Sequence, residues 1–321
     1  MTTFYFDEIR ELDFPCPTKQ IGFYDFSSLD GFDVIHTHCM RPDLFGWCCK
    51  TFRKNPGRFV TTIHNIVEEE LLFWYGKFYA AVFSRVWRMA WNAFDARVVL
   101  TDQALGYYKR TQPDVSYKRI YNGRSAHLSS KIDDRDAQII LKAKSNWRLI
   151  GACAVLSPRK GLEQVVLALP SLPQHAFLLI GDGPSRQTLV SLAKALGVAD
   201  RLIDLGQKAN ARDYLPYMDM YAMPSRSEGL PLALLEAVSA RIPAFCSNIP
   251  QFREVFSENE VAYFDLDDTD GLIKAINRID NTGPHLASHA HQRFEATYTL
   301  EVMVKNYLEY FDTLHLQARL P

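Results

Sequence analysis

Apolar residues in this chain fall into short bursts separated by polar or helically periodic stretches. Asp33-Val34-Ile35-His36, Arg58 to Ile63, Ala96 to Leu100 and Tyr117 to Tyr121 read as strands, short and rich in β-branched or aromatic residues. Between them, residues 43–54, 68–93 and 102–110 carry apolar positions at helical spacing. The rhythm pauses over the polar stretch Ser129 to Asp136 and then restarts. Strands are expected at 148–154, 176–180, 202–205, 220–223 and 244–247, and helices at 161–169, 185–196, 211–217 and 231–240. Glu301 to Leu316 reads as a closing helix, and the first thirty residues offer only two short strands, Thr3 to Phe6 and Gln20 to Phe26. Strands alternating with helices predict parallel sheets covered on both faces. The expected fold class is α/β: two doubly wound domains facing one another, over 1–143 and 144–298, with a closing helix over 299–321.

One stretch stands out chemically, Ser225-Arg226-Ser227-Glu228-Gly229-Leu230-Pro231 followed by the apolar run Leu232 to Ala240. Proline suits a helix start, where its missing N–H would have no partner anyway. The run is apolar nearly all round, which predicts a buried helix. Its one carboxylate, Glu236, lies roughly 7 Å along the axis from Pro231, and a buried carboxylate needs a partner. Glu228 precedes the first amides of that helix. Two carboxylates with free N–H groups between them, at the positive end of a helix dipole, suit an anion flanked by hydroxyl groups. A nucleotide-diphosphate sugar has that shape.

Bulk properties narrow the class. A length of 321 residues suggests about two domains. A formal net charge of −1 gives no ground for nucleic-acid binding. Six scattered cysteines without a CxxC pair point to neither a disulfide framework nor a zinc site. The N-terminus lacks a signal-peptide pattern and no 18-residue window is uncharged and apolar, so a cytoplasmic protein without membrane spans is expected.

Other motifs leave alternatives open. Gly181-Asp182-Gly183 follows a strand and precedes a helix, but Arg186 occupies the third glycine position of a dinucleotide fingerprint. Gly181 and Gly183 equally suit a turn that lets a ligand approach the backbone. His64 ends the strand Val60 to Ile63, and His36 and His38 end the preceding one. Either they line a binding cleft or they are structural, since no third ligand stands at metal spacing. Asp133 to Asp136 and Asp265-Leu266-Asp267 read as solvated loops. Residues 73–91 are dense in aromatics, and every charge from 71 to 94 is positive. That pattern suits either a core helix or peripheral contact with an anionic membrane.

The order Leu156-Ser157-Pro158-Arg159-Lys160-Gly161, Ile180-Gly181-Asp182-Gly183-Pro184, then Pro224 to Ala237 with its two glutamates, resembles the C-terminal domain of retaining GT-B glycosyltransferases. More narrowly it resembles family 4, the glycosyl transferases group 1 type, which includes bacterial lipopolysaccharide, O-antigen and capsule enzymes. The likeness is close over about half the chain and looser over residues 33–125. It implies two Rossmann-like domains and a nucleotide-diphosphate sugar as donor substrate, with no cofactor and no required metal. It also implies a glycan or lipid-linked acceptor presented at the inner face of the cytoplasmic membrane. By resemblance, Glu228 faces the donor sugar, Glu236 the ribose, Lys160 the departing diphosphate, and His64 the reacting centre. Arg159, Gly181, Gly183, Gly229 and Leu230 complete the expected donor site. The implied reaction is front-face attack assisted by the leaving phosphate. Two departures stand out: Val155 replaces a usual arginine, and only thirty-two residues, without a glycine-rich loop, precede Asp33. They support a rival reading, a non-catalytic GT-B-like subunit serving another transferase; a sugar-nucleotide epimerase is a third.

Overall fold

The structure, a computed structural model, describes residues 2–5, 16–53, 57–125 and 132–317. In chain order it runs β1 (Thr3–Tyr5), β2 (Thr18–Gln20), a 3-10 turn (Phe26–Leu29), β3 (Val34–His38), α1 (Met40–Phe52), β4 (Arg58–Ile63) and α2 (Val67–Asn92). β5 (Ala96–Val99), α3 (Asp102–Thr111), β6 (Lys118–Arg119), α4 (Asp134–Lys144), β7 (Arg148–Cys153) and α5 (Glu163–Ala168) follow. Then come β8 (His175–Ile180), α6 (Arg186–Ala195), β9 (Leu202–Gly206), β10 (Met220–Met223), α7 (Leu232–Ser239), β11 (Ala244–Ser247) and α8 (Pro250–Val255). The chain closes with β12 (Ala262–Phe264), α9 (Thr269–Thr297) and α10 (Leu300–Gln317).

These elements form two compact units, the first from residues 1–120 and 307–321 and the second from 121–306. The division therefore falls at 120, not at 143 as the polar stretch suggested. The reason is α4, which opens inside the stretch 133–136 that reads as a solvated loop in the sequence. Asp133 caps it, accepting from the amides of Arg135 at 2.8 Å and Asp136 at 3.4 Å. Ile140 and Ala143 are buried, and Asp136 is held by Tyr214 and, at 2.7 Å, by Lys208. All of these partners belong to the second unit. The helix expected over 211–217 is a 3-10 helix. Pro216 inside it supplies no amide and would clash with the preceding turn of an α-helix.

In the first unit, β3-β4-β5-β6 make a parallel four-stranded sheet, while β1 and β2 pair by themselves. One face packs Val60, Ala96 and Val98 against Tyr307, Tyr310, Phe311 and Leu314 of α10. On the other face Asp43, in the first turn of α1, is fully buried. Its carboxylate accepts from Thr37, from Thr61 at 2.8 Å, and from the indoles of Trp87 at 2.6 Å and Trp91 at 2.9 Å. Burial pushes the Asp43 carboxyl above its ordinary range, and those four donors act the other way. One carboxylate thereby fixes α1, β3, β4 and α2 to one another.

The second unit is a six-stranded parallel sheet in the order β9-β8-β7-β10-β11-β12. Counted from its first strand this is 3-2-1-4-5-6, the doubly wound order, with the topological switch between β7 and β10. Its core gathers Ile150, Phe177, Leu179, Met220, Phe245 and Ile276, all buried.

Candidate active site

In open α/β sheets, ligands bind beyond the carboxyl ends of the strands at the switch point. Here the two loops that leave the switch are 154–162, after β7, and 224–231, between β10 and α7. Backbone geometry laces them together. Gly161 sits in the left-handed region at φ 59°, and a side chain there would overlap the Pro224 carbonyl. The buried Gln164 amide donates to Gly161 O at 3.1 Å and Pro224 O at 2.9 Å, and its oxygen accepts from the Asp267 amide at 2.8 Å. Arg226 N donates to Arg159 O at 2.8 Å. Its guanidinium binds Asp267 through two bonds of 2.6 and 2.8 Å and Glu163 at 2.8 Å. Asp267 is thus an anchor of this loop rather than a merely solvated residue.

That lacing brings together two residues singled out from the sequence. Lys160 Nζ donates to Glu228 Oε1 at 2.6 Å, and their side chains are only 15% and 7% exposed. A desolvated pair costs more to assemble than a surface pair. The amides of Gly229 and Leu230 donate to no partner among the described residues. Arg159 forms no side-chain ion pair among the described residues. Val155, on the same loop as Lys160, is 63% exposed.

Glu236, in the second turn of α7, answers the need for a partner through two arginines. Arg124 Nε lies 3.0 Å and Arg212 Nε 3.6 Å from its Oε1. Burial raises the Glu236 carboxyl above its ordinary value, and Arg124 and then Arg212 oppose that shift. Below the site, the buried Tyr221 hydroxyl donates to Cys153 O at 3.2 Å and accepts from Cys153 N at 3.3 Å. That exchange ties β10 to the end of β7.

Gly181 and Gly183 have φ of 142° and 154°, and a side chain on them would overlap the Ala154 and Leu156 carbonyls respectively. The space a glycine frees is here taken by protein backbone: Leu156 N donates to Asp182 O at 2.9 Å and Ser185 N to Leu156 O at 2.8 Å. The pair therefore shapes the loop that carries Lys160.

His64 belongs to the first unit and follows the last residue of β4. His38 Nδ1 lies 3.0 Å from His64 Nε2, and His36 Nε2 lies 2.8 Å from Thr62 Oγ1. Among the described residues no group of His, Cys, Asp and Glu is arranged to hold a metal. On α2, Trp87 and Trp91 turn inward to Asp43, while Tyr75, Phe78, Tyr79, Val82, Val86 and Met89 are exposed. Lys77 and Arg85 share that exposure. Gly76, at φ 78° and ψ 176°, breaks the helix just before this face. One side of α2 is therefore core, as one reading of the aromatic run expects, and the other is exposed. No helix among the described residues is long and apolar enough to cross a membrane.

Arg124, Arg212, Gln164 and Asp43 were not singled out from the sequence. Only Arg124 and Arg212 had a signal, the partner that a buried Glu236 demands.

Comparisons with known proteins bear on the family and the fold. The model of the family described as glycosyl transferases group 1 matches residues 134–292. The O-antigen biosynthesis glycosyltransferase WclY of Escherichia coli is 30% identical over 329 residues, covering 98% of this chain and 90% of that protein. Sucrose-phosphate synthase from Thermosynechococcus elongatus superimposes with a TM-score of 0.77 at 21% identity, over 92% of this chain and 77% of that one. HepE of Anabaena, solved with UDP-glucose, gives 0.76 at 18%, over 92% and 86%. Those two structures establish the GT-B fold class. With the near full-length likeness to WclY, the chain belongs to the glycosyl transferases group 1 family and is a glycosyltransferase.

Proposed function

We propose that the protein is a retaining glycosyltransferase of O-antigen or related lipopolysaccharide synthesis. It moves a sugar from a nucleotide-diphosphate donor to a glycan or lipid-linked acceptor. The observation that carries this reading is the desolvated Lys160–Glu228 pair, set beside the open Gly229 and Leu230 amides at the switch point. The name of WclY supplies the pathway, and HepE is a GT-B protein solved with UDP-glucose.

Donor binding exchanges partners. The diphosphate takes the Lys160 ammonium and the two amides, and Glu228 is released to accept from sugar hydroxyls. Glu236 accepts from the ribose hydroxyls. Arg159 supplies the second cation that Val155 does not. In the reaction the bond from C1 to the phosphate oxygen breaks, its electron pair leaving with the diphosphate. The acceptor oxygen bonds C1 on the same face, and its proton passes to the leaving phosphate. Lys160 stabilises the charge that develops there. The family resemblance assigns His64 to the reacting centre. NMR of the product tests this: the donor's anomeric configuration is expected to be kept, and inversion would refute the mechanism.

Glu236 gives the donor site a pH dependence. Its carboxyl is raised by burial, so it protonates at higher pH than an ordinary glutamate. Only the carboxylate accepts two ribose hydroxyls. Donor affinity is therefore expected to fall as pH drops through that raised value, with proton release on binding at the lower end. Calorimetry in buffers of different ionisation enthalpy measures it, and Glu236→Gln should flatten the profile.

The exposed face of α2 is the proposed contact with an anionic membrane. Each exposed basic residue contributes about 1 kcal/mol near such a surface, and the apolar side chains add burial at the headgroup boundary. Flotation with phosphatidylglycerol-containing vesicles is expected to carry the protein, and Phe78→Asp with Met89→Asp to abolish it. Equal flotation of the double variant would refute this contact.

A further inference from the structure

The backbone of residues 123–125 is fastened at three successive positions, all within the second unit. Gly123 lies so close to Thr299 that a side chain there would overlap its carbonyl. Arg124 forms an isolated parallel bridge with Thr299. Its amide donates to Tyr298 O at 2.9 Å, and its carbonyl accepts from Leu300 N, at the start of α10, at 3.1 Å. The Ser125 carbonyl accepts from the Arg212 guanidinium at 2.6 Å. From this fixed segment the Arg124 side chain brings its Nε to 3.0 Å from Glu236 Oε1.

The contact is one of charge rather than of aligned hydrogen bonding. The buried Nε–H of Arg124 meets no acceptor among the described residues. The Glu236 carboxylate accepts no hydrogen bond from those residues either. Its charge is met while its lone pairs stay open to hydroxyl donors.

We propose that Arg124 is a positioning residue for Glu236: it keeps the carboxylate charged and in place, with its oxygens open to the ribose hydroxyls of the donor. This rests on the reading of Glu236 as the ribose ligand.

Glu236 needs such a partner because its side chain is only 16% exposed, and poor hydration disfavours a charge. Burial raises its carboxyl, and Arg124, then Arg212, oppose the shift. The other titratable groups that face it supply no cation. Burial, then the Glu236 charge, raises the Cys153 thiol at the end of β7 to about 12. Burial foremost raises the Tyr221 hydroxyl of β10 well above its ordinary range. Arg212 stands farther off, at 3.6 Å, and also holds the Ser125 carbonyl. Without Arg124 the burial of Glu236 is opposed less, so the carboxyl takes up its proton at higher pH. A protonated carboxyl has fewer acceptor positions for the ribose diol.

The first test needs no donor. The full chain, labelled with 13C at the glutamate carboxyls, is titrated by NMR, with the Glu236 signal assigned through Glu236→Gln. Arg124→Ala is expected to move the Glu236 midpoint to higher pH, and Arg124→Lys, which keeps the charge, to bring it back toward wild type. An unmoved midpoint in an Arg124→Ala protein shown to be folded by circular dichroism would overturn the proposal. Calorimetry with UDP, GDP and ADP then follows nucleotide affinity against pH. Arg124→Ala is expected to weaken binding about 10-fold on the acid side and progressively less as pH rises. In a Glu236→Gln background the same change should cost almost nothing. Equal weakening at every pH, or an undiminished effect in that background, would overturn the proposal. Glu236→Gln binding nucleotide as well as wild type would instead overturn the reading of Glu236 as the ribose ligand, whatever the titration shows.

Discussion

Lys160→Ala is expected to lower sugar transfer by at least about 10²-fold, the scale of losing a preorganised charge at a developing anion. The effect should fall on kcat more than on donor KM, because the cation is needed most when the diphosphate departs. A loss of fold could mimic this, since Lys160 and Glu228 are largely desolvated and each relies on the other. Breaking a fully buried pair costs roughly 3–5 kcal/mol, and the 15% exposure of Lys160 places this pair below that range. Stability and chemistry separate in the double variant Lys160→Met with Glu228→Gln. Removing both charges strands neither, so its melting temperature should recover toward wild type while transfer stays absent. Recovery of transfer along with stability would assign the pair a structural role only.

Asp43→Ala is expected to be the most destabilising single change in the first unit, by about 3–5 kcal/mol. The carboxylate is the common acceptor for two hydroxyls and two indoles from three elements. Its removal leaves those four donors without it in a dry site and opens a cavity beside Trp91, which is fully buried. Asp43→Asn keeps the shape but turns an N–H₂ toward donors, so it should cost less than alanine and still lower stability. Urea unfolding followed by tryptophan fluorescence reads both, because Trp87 and Trp91 are themselves the affected donors. A change of under about 1 kcal/mol for the alanine variant would contradict this account of how α1 and α2 are fixed to the sheet.

The alternation of strand and helix was legible because a strand buried on both faces is a compact apolar run. The site's two glutamates were legible because Glu236 is the only charge in an apolar helix. What was hidden depends on distant partners. Arg124 and Arg212 pair with Glu236 across 112 and 24 positions of sequence, and no local pattern records such a pairing. Asp43 looks like any acidic residue in a first helical turn until two threonines and two tryptophans close around it. The unit boundary was misplaced because α4 opens with charged residues, and its capping aspartate resembles a solvated loop. The 29-residue α9 has no counterpart among the predicted elements, since Gly283 and Pro284 interrupt its apolar stripe. Gly181 and Gly183 carry a ligand-like signature, yet the neighbouring loop occupies the space they leave.

The switch point of the second unit is expected to hold a nucleotide-diphosphate sugar between Glu228, Lys160 and Glu236. This is tested most directly by calorimetric titration of the whole chain with UDP-, GDP-, ADP- and TDP-sugars, comparing wild type with Glu228→Ala and Glu236→Ala. The account predicts saturable binding of one donor, weakened at least about 10-fold in both variants while circular dichroism shows them folded. Binding that neither substitution alters, or a folded wild type that binds no donor, would contradict it.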